Sequence, residues 1–306
     1  MNETIGGAQE WAWSAGCPAS TRHLLVLNVP GFHGSTALQS VLMSARGVTT
    51  LCKADVWQCE ADNVLCSNEP TRSLGYTCQQ PYQVTVPNGT LVLEILSRYW
   101  DLSRPVLLAK YLPNAFIESA SPPGAHDGPS LLKLTAVPLP HSMTMAGIRR
   151  ISFRVVQMWW PSCLLRLSKK LFHHPGLKRR YAETNTTAMD SERQIHEKQA
   201  HEHRELRAAG VPVLLISYAD LLWQPDRTLA RLRAFLPCRA GERISVDAEP
   251  IMGRDIFPNN SWKVLGSIRS FGAQHPASSL GYANGHCINA LHYTNSTADT
   301  YLRSFS

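Results

Sequence analysis

Four adjacent residues, His33, Gly34, Ser35 and Thr36, carry the strongest chemical signal in this chain of 306 residues. They follow an apolar run, Leu24 to Val29, that ends in Pro30, Gly31 and Phe32. Beyond them, apolar residues recur at Leu38, Val41, Leu42 and Ala45, the three-to-four spacing of an amphipathic helix. A strand, a glycine-bearing turn and a helix opening on hydroxyl residues together make an anion cradle. Unpaired N–H groups of the first helical turn, with the positive end of the helix dipole, suit a phosphate or sulfate group. The same residues also suit an ordinary strand-to-helix connection, with glycine as the turn and serine as the cap. This segment alone leaves both readings open.

A lysine-dependent nucleoside triphosphatase or kinase is not expected. Its phosphate loop needs two glycines with four residues between them, then Lys and Ser or Thr. Gly31 and Gly34 have two residues between them, and no lysine follows.

A later segment, Ala209 to Leu236, reads as a buried strand, a loop and a helix. Val213 to Ile216 is a continuous apolar run, as in a strand covered on both faces. Pro225 fits the first turn of the following helix, where a missing N–H costs little, and Leu229, Leu232 and Leu236 form its buried stripe. With this segment the chain resembles the sulfotransferase superfamily. Members carry a Pro-x-Ser-Gly-Thr-Thr loop near the N-terminus and a Tyr-Glu-Asp-Leu…Pro…Leu…Phe-Leu segment near the end. The counterparts are Pro30 with Gly34-Ser35-Thr36, and Tyr218-Ala219-Asp220-Leu221 with Pro225, Leu232 and Phe235-Leu236. Between them, Trp100 to Pro113 resembles the family's second strand, which ends in a lysine-containing stretch, here Lys110. Ile151 to Ser168 resembles the strand and helix that read a nucleotide's 3′-phosphate. The four landmarks stand in family order across roughly residues 20 to 240.

The resemblance implies an α/β fold: a three-layer sandwich around a central, mostly parallel sheet, of the P-loop-like sulfotransferase kind. It implies an N-terminal extension over 1–19, the α/β domain over 20–240, and a C-terminal segment over 241–306 packed on that domain near the nucleotide end of the sheet. It also implies a donor, 3′-phosphoadenosine 5′-phosphosulfate (PAPS), its product adenosine 3′,5′-bisphosphate (PAP), no metal, and a hydroxyl acceptor, here a carbohydrate. Gly31, Phe32, His33, Gly34, Ser35 and Thr36 would cradle the phosphosulfate, while Trp159 and Ser168 occupy the 3′-phosphate position. His33 and Lys110 are the candidates for the charge at the departing oxygen. A histidine is only partly charged near neutral pH.

The chain departs from the family at these same places. Phe32 stands where members have Lys or Arg, and the loop is one residue longer, with Gly31 as the insertion. Trp159 replaces an arginine, and Ser168 falls one residue late. Arg154, Arg166, Arg254 and Lys263 are the candidates to restore the lost charge. The family's base position falls at Tyr111, and the nearby Glu60, Glu94 and Asp101 are expected to be solvated carboxylates. Trp159 and Trp160 are expected to pack in the core. Two functions are compatible with these residues: sulfuryl transfer to a carbohydrate hydroxyl, and a binding or scaffold module that keeps the fold without catalysis.

Composition sets the outer bounds. Hydrophobic residues make up 44% and charged residues 17%, enough apolar material for a packed core. No run of about 18 apolar residues exists to span a membrane, and the N-terminus lacks the pattern of a signal peptide. Five Asn-x-Ser/Thr sequons, at Asn2, Asn88, Asn185, Asn259 and Asn295, point instead to the secretory pathway or the Golgi lumen. A cytoplasmic location is the alternative. Eight cysteines in an oxidising compartment would form disulfides, and the absence of any Cys-x-x-Cys pair argues against a structural zinc site. The net charge of +7 is concentrated between Arg166 and Arg180, a run that could attract an acidic glycan or a nucleotide. Nucleic acid is not an expected partner, since no reader motif accompanies the charge. His196 and His201 are five apart, about 140° around a helix, so they cannot share one metal. Residues 191–209 are expected to form a polar surface helix.

Overall fold

The computed structural model describes residues 17–29, 35–52, 59–67, 78–79, 83–84, 89–110, 138–159, 199–217, 221 and 225–245. The chain enters through β1 (Thr21–Asn28), α1 (Ser35–Met43) and β2 (Val48–Thr49). There follow α2 (Ala61–Ser67), a short hairpin of β3 (Cys78–Gln79) and β4 (Gln83–Val84), and α3 (Gly89–Ser97). Next come β5 (Val106–Lys110), α4 (His141–Met145) and β6 (Arg150–Trp159). The helix through 199–208, here α5, leads into β7 (Val213–Ser217), and α6 (Pro225–Phe235) follows.

Five of these strands form one parallel sheet in the order β2-β5-β1-β6-β7. The middle strand, β1, is buried along six consecutive residues, the mark of a parallel strand covered on both faces. Its side chains alternate between two cores. Leu24 and Val26 meet apolar residues of α2 and α3, with Met143 of α4 and Leu206 of α5. Leu25 and Leu27 meet Leu38, Val41 and Leu42 of α1 and Leu229 and Leu232 of α6. Helices therefore cover both faces, and the architecture is the expected α/β arrangement of three layers.

Local sequence explains the joints. Gly210 has φ +74, a left-handed conformation that ends α5, and Val211 N–H reaches back to the Leu206 carbonyl at 3.0 Å. Pro212 then prevents the helix from continuing. Pro225 is the first residue of α6, as its ring geometry favours. Glu94 of α3 accepts hydrogen bonds from the backbone N and Oγ of Ser142, at 3.1 and 2.9 Å, and so caps the start of α4. Burial pushes the Glu94 carboxyl up, but the two Ser142 donors, Arg98 and His141 together hold it below its ordinary value.

The segment after α6 is tied to the turn before β2. Gly47 donates to the Ala240 carbonyl at 3.2 Å, and Ser44 Oγ accepts from Ser245 N at 2.8 Å. A disulfide joins Cys17, ahead of β1, to Cys238, and a second joins Cys52 to Cys59. The first closes a loop of 221 residues, worth about 5 kcal/mol in a chain-entropy account. No helix among the described residues is long and apolar enough to cross a membrane.

A side chain at Gly47 has no room, because its Cβ would lie 2.5 Å from Cα and Cβ of Ala240. Gly47→Ala is predicted to destabilise the protein by about 1–3 kcal/mol, read from the urea midpoint. An unchanged midpoint would show that residues 240–245 do not press on this turn.

Candidate active site at the carboxyl edge of the sheet

Chain order directs attention to one edge. β1 connects through α1 toward β2 on one side, whereas its neighbour β6 connects through α5 toward β7 on the other. Ligands of open parallel sheets bind outside the carboxyl ends of strands at such a divergence. Here Lys110 of β5 lies in register with Leu27 of β1, and the next β1 residue, Asn28, lies in register with Gln157 of β6. β5 and β1 thus end on polar residues, and β6 sets Gln157 beside them two residues before its own end at Trp159, with about 5 Å between strands.

On the α1 side, Lys110 is 1% exposed. Its Nζ donates to Thr36 Oγ1 at 3.0 Å and lies 2.8 Å from Glu60 Oε1. Asn63 Nδ2 donates to the other Glu60 oxygen at 3.0 Å. The fold brings these groups together simply. β5 ends at Lys110, Glu60 bridges to it in parallel just ahead of α2, and Thr36 sits in the first turn of α1. Burial raises the Glu60 carboxyl above its ordinary value, against the pull of Lys110 and Asn63. A carboxylate–ammonium pair removed from water survives only with such close geometry and extra hydrogen bonds.

On the α5 side, Asn28 Nδ2 donates to Glu202 Oε2 at 3.0 Å, and Gln199 Nε2 donates to the Met158 carbonyl at 2.6 Å. His203 and Gln157 are both buried, with His203 Nδ1 2.9 Å from Gln157 Oε1. Burial, followed by Arg207 and Arg204, pushes the His203 imidazole below its ordinary value. A carboxylate and an imidazole therefore stand at this edge, on the opposite face from Thr36.

Several expectations change on this structure. Glu60, expected in solvent, is 3% exposed and paired with Lys110. Its neighbours in sequence gave no sign of this, because the partner lies fifty residues away at the end of another strand. Glu94 caps α4 and Asp101 accepts from Ser103 and Arg104, so neither joins the polar residues at this edge. Arg154 lies in mid-strand and donates to the Phe235 carbonyl at the end of α6, away from the carboxyl edge. His201 pairs with Glu205 at 3.3 Å. Ser35, Thr36 and Lys110 fall at the carboxyl edge, and Trp159 closes β6. Gly31, Phe32, His33, Gly34, Tyr111, Ser168, Arg166, Arg254 and Lys263 lie outside the described residues. Sequence reasoning missed Glu202 and His203. Their signal was available only as polar residues on the inward stripe of α5, beside Gln199, Ala200 and Leu206.

No family model matches the chain, and no curated protein matches it. The site must be read from its own chemistry.

Lys110→Met is predicted to cost about 3–5 kcal/mol of stability, because it leaves the Glu60 carboxyl buried without its partner. Adding Glu60→Met should recover most of that loss in a double-mutant cycle followed by urea unfolding. Additive losses would mean that the two side chains do not interact.

Proposed function

We propose that the protein is a PAPS-dependent sulfotransferase acting on a hydroxyl acceptor, of which a carbohydrate is the first choice. The observation that supports this most is the buried Lys110 ammonium on Thr36 Oγ1, at the start of a nine-residue helix and the carboxyl end of the sheet. A fixed cation beside helix N–H groups is suited to negative charge that grows on an oxygen during group transfer. The strand order, with β1 between β5 and β6, is compatible with the P-loop-like sulfotransferase arrangement implied by the sequence.

PAPS would supply the sulfuryl group. Ser35, Thr36 and the amides at the start of α1 would hold its phosphosulfate, and Lys110 would face the charge left on the departing phosphate. Because Lys110 supplies a cation from the end of β5, the uncharged Phe32 in the sequence of the loop would not by itself remove electrostatic stabilisation. The acceptor hydroxyl loses a proton as its oxygen forms the new S–O bond. Glu202, held by Asn28 at the tip of β1, is the described carboxylate best placed to take it. The two disulfides and the five sequons support a luminal setting.

One observation favours the second reading, a fold that binds without turnover. Lys110 already has a carboxylate partner, Glu60, which offsets its charge. Both readings have an anion reach Lys110; they differ in whether transfer follows. An anion beside Lys110 competes with Glu60 and raises that carboxyl further, so binding should take up protons.

Calorimetry with PAP, and AMP as control, is predicted to show preference for the bisphosphate, lost in Ser35→Ala/Thr36→Ala. Repeated in buffers of different ionisation enthalpy, it should show proton uptake that Glu60→Gln abolishes. Equal affinity for AMP, or no binding to folded protein, would remove the donor assignment. Binding without sulfate transfer from labelled PAPS to a panel of glycans would select the non-catalytic reading.

A further inference from the structure

The opposite edge of the sheet holds a second cluster. His23 lies near the start of β1 and is buried, and neither of its ring nitrogens has a hydrogen-bond partner among the described residues. A ligand atom from each of Cys17, His23 and Cys238 lies within 4.8 Å of the other two. The three come from separate places in the chain: the approach to β1, β1 itself, and the turn after α6. Their spacing in the sequence gives no metal-binding motif.

A buried imidazole with both nitrogens idle costs free energy unless something engages it. The oxidised pair cannot do so, since the sulfurs of the Cys17–Cys238 disulfide are bonded to each other. Reduction changes the donor set. A dithiol such as dithiothreitol transfers two electrons and two protons to the disulfide, giving two thiols and becoming a cyclic disulfide itself. The cluster is then two thiols and one imidazole, the donor types that zinc prefers.

We propose that, once the Cys17–Cys238 disulfide is reduced, Cys17, Cys238 and His23 bind a zinc ion, with water as the fourth ligand. Zinc displaces the two thiol protons, so the ion and two thiolates are neutral together. That neutrality suits a site bordered by Arg22, Arg150 and Arg154, the cations that act on His23. Tetrahedral zinc needs its ligand atoms roughly 3.5–3.8 Å apart, a spacing the freed sulfurs can reach within the present cluster. The Cα atoms of the two cysteines are 5.4 Å apart, so the backbone need not be remade. Either bond, disulfide or metal, would hold the entry to β1 against the end of α6. The site is separate from the carboxyl edge, and its test is independent of the sulfotransferase reading.

The full chain would be reduced with dithiothreitol, freed of it by anaerobic gel filtration, loaded with zinc, desalted, and its zinc counted by native mass spectrometry. Cys17→Ser/Cys238→Ser, treated identically, subtracts any zinc held by other cysteines. The wild type should retain one zinc more than this variant, and cobalt in its place should show a thiolate-to-metal charge-transfer band. His23→Gln, which keeps the disulfide and so can be prepared folded, should bind zinc at least tenfold more weakly after reduction. Equal zinc counts in the wild type and the double variant would overturn the site. Unchanged affinity in His23→Gln would remove His23 from it and overturn the proposal as stated.

Discussion

The buried pair of Lys110 and Glu60 is the constraint on which the carboxyl edge depends. Taking an ammonium and a carboxylate out of water costs several kcal/mol each, and only close contact and further hydrogen bonds recover it. Lys110 therefore fixes three elements at once: the end of β5, the residue ahead of α2 and the first turn of α1. A simple apolar contact would have held these elements together as firmly. What the pair adds is a cation whose position is set, in a region of low dielectric, beside the start of a helix. Such a cation acts on a bound anion without the reorganisation that a surface lysine would require.

The two faces of the sheet divide the work. On one face, α1 and α6 seal an apolar core through Leu25, Leu27 and Val156, and Ser35 and Thr36 stand in the first turn of α1. On the other, α5 packs through Leu206 yet turns Gln199, Glu202 and His203 toward the ends of β1 and β6. A donor site on the first side and an acceptor site on the second would meet over Asn28. Under the proposed reading, donor and acceptor would each approach from its own face of the sheet. The opposite edge is occupied by connections and by the Cys17–Cys238 link, which keep the framework closed.

Much of the fold was legible in the sequence because burial on two faces leaves a strong pattern. Leu24 to Val29 and Val213 to Ile216 had to be covered strands, and Leu38, Val41 and Leu42 had to be one face of a helix. The structure gives them those places. Proline at the start of α6 announced that helix for steric reasons. The short β2 and the β3–β4 hairpin were not legible, since two residues carry no periodicity. The site was legible only in part. Lys110, Ser35 and Thr36 lay in recognisable segments, but Glu60 gains its meaning from a partner in another strand. The same holds for His23, whose neighbours Cys17 and Cys238 are distant in sequence.

In the proposed reading, the cation at the end of β5 and the hydroxyls at the start of α1 form one anion site. The most direct measurement is a crystal structure with adenosine 3′,5′-bisphosphate bound. Its 5′-phosphate is predicted at the N-terminus of α1, within hydrogen-bond distance of Lys110 Nζ and Thr36 Oγ1. A nucleotide bound elsewhere, with Lys110 still closed on Glu60, would contradict it.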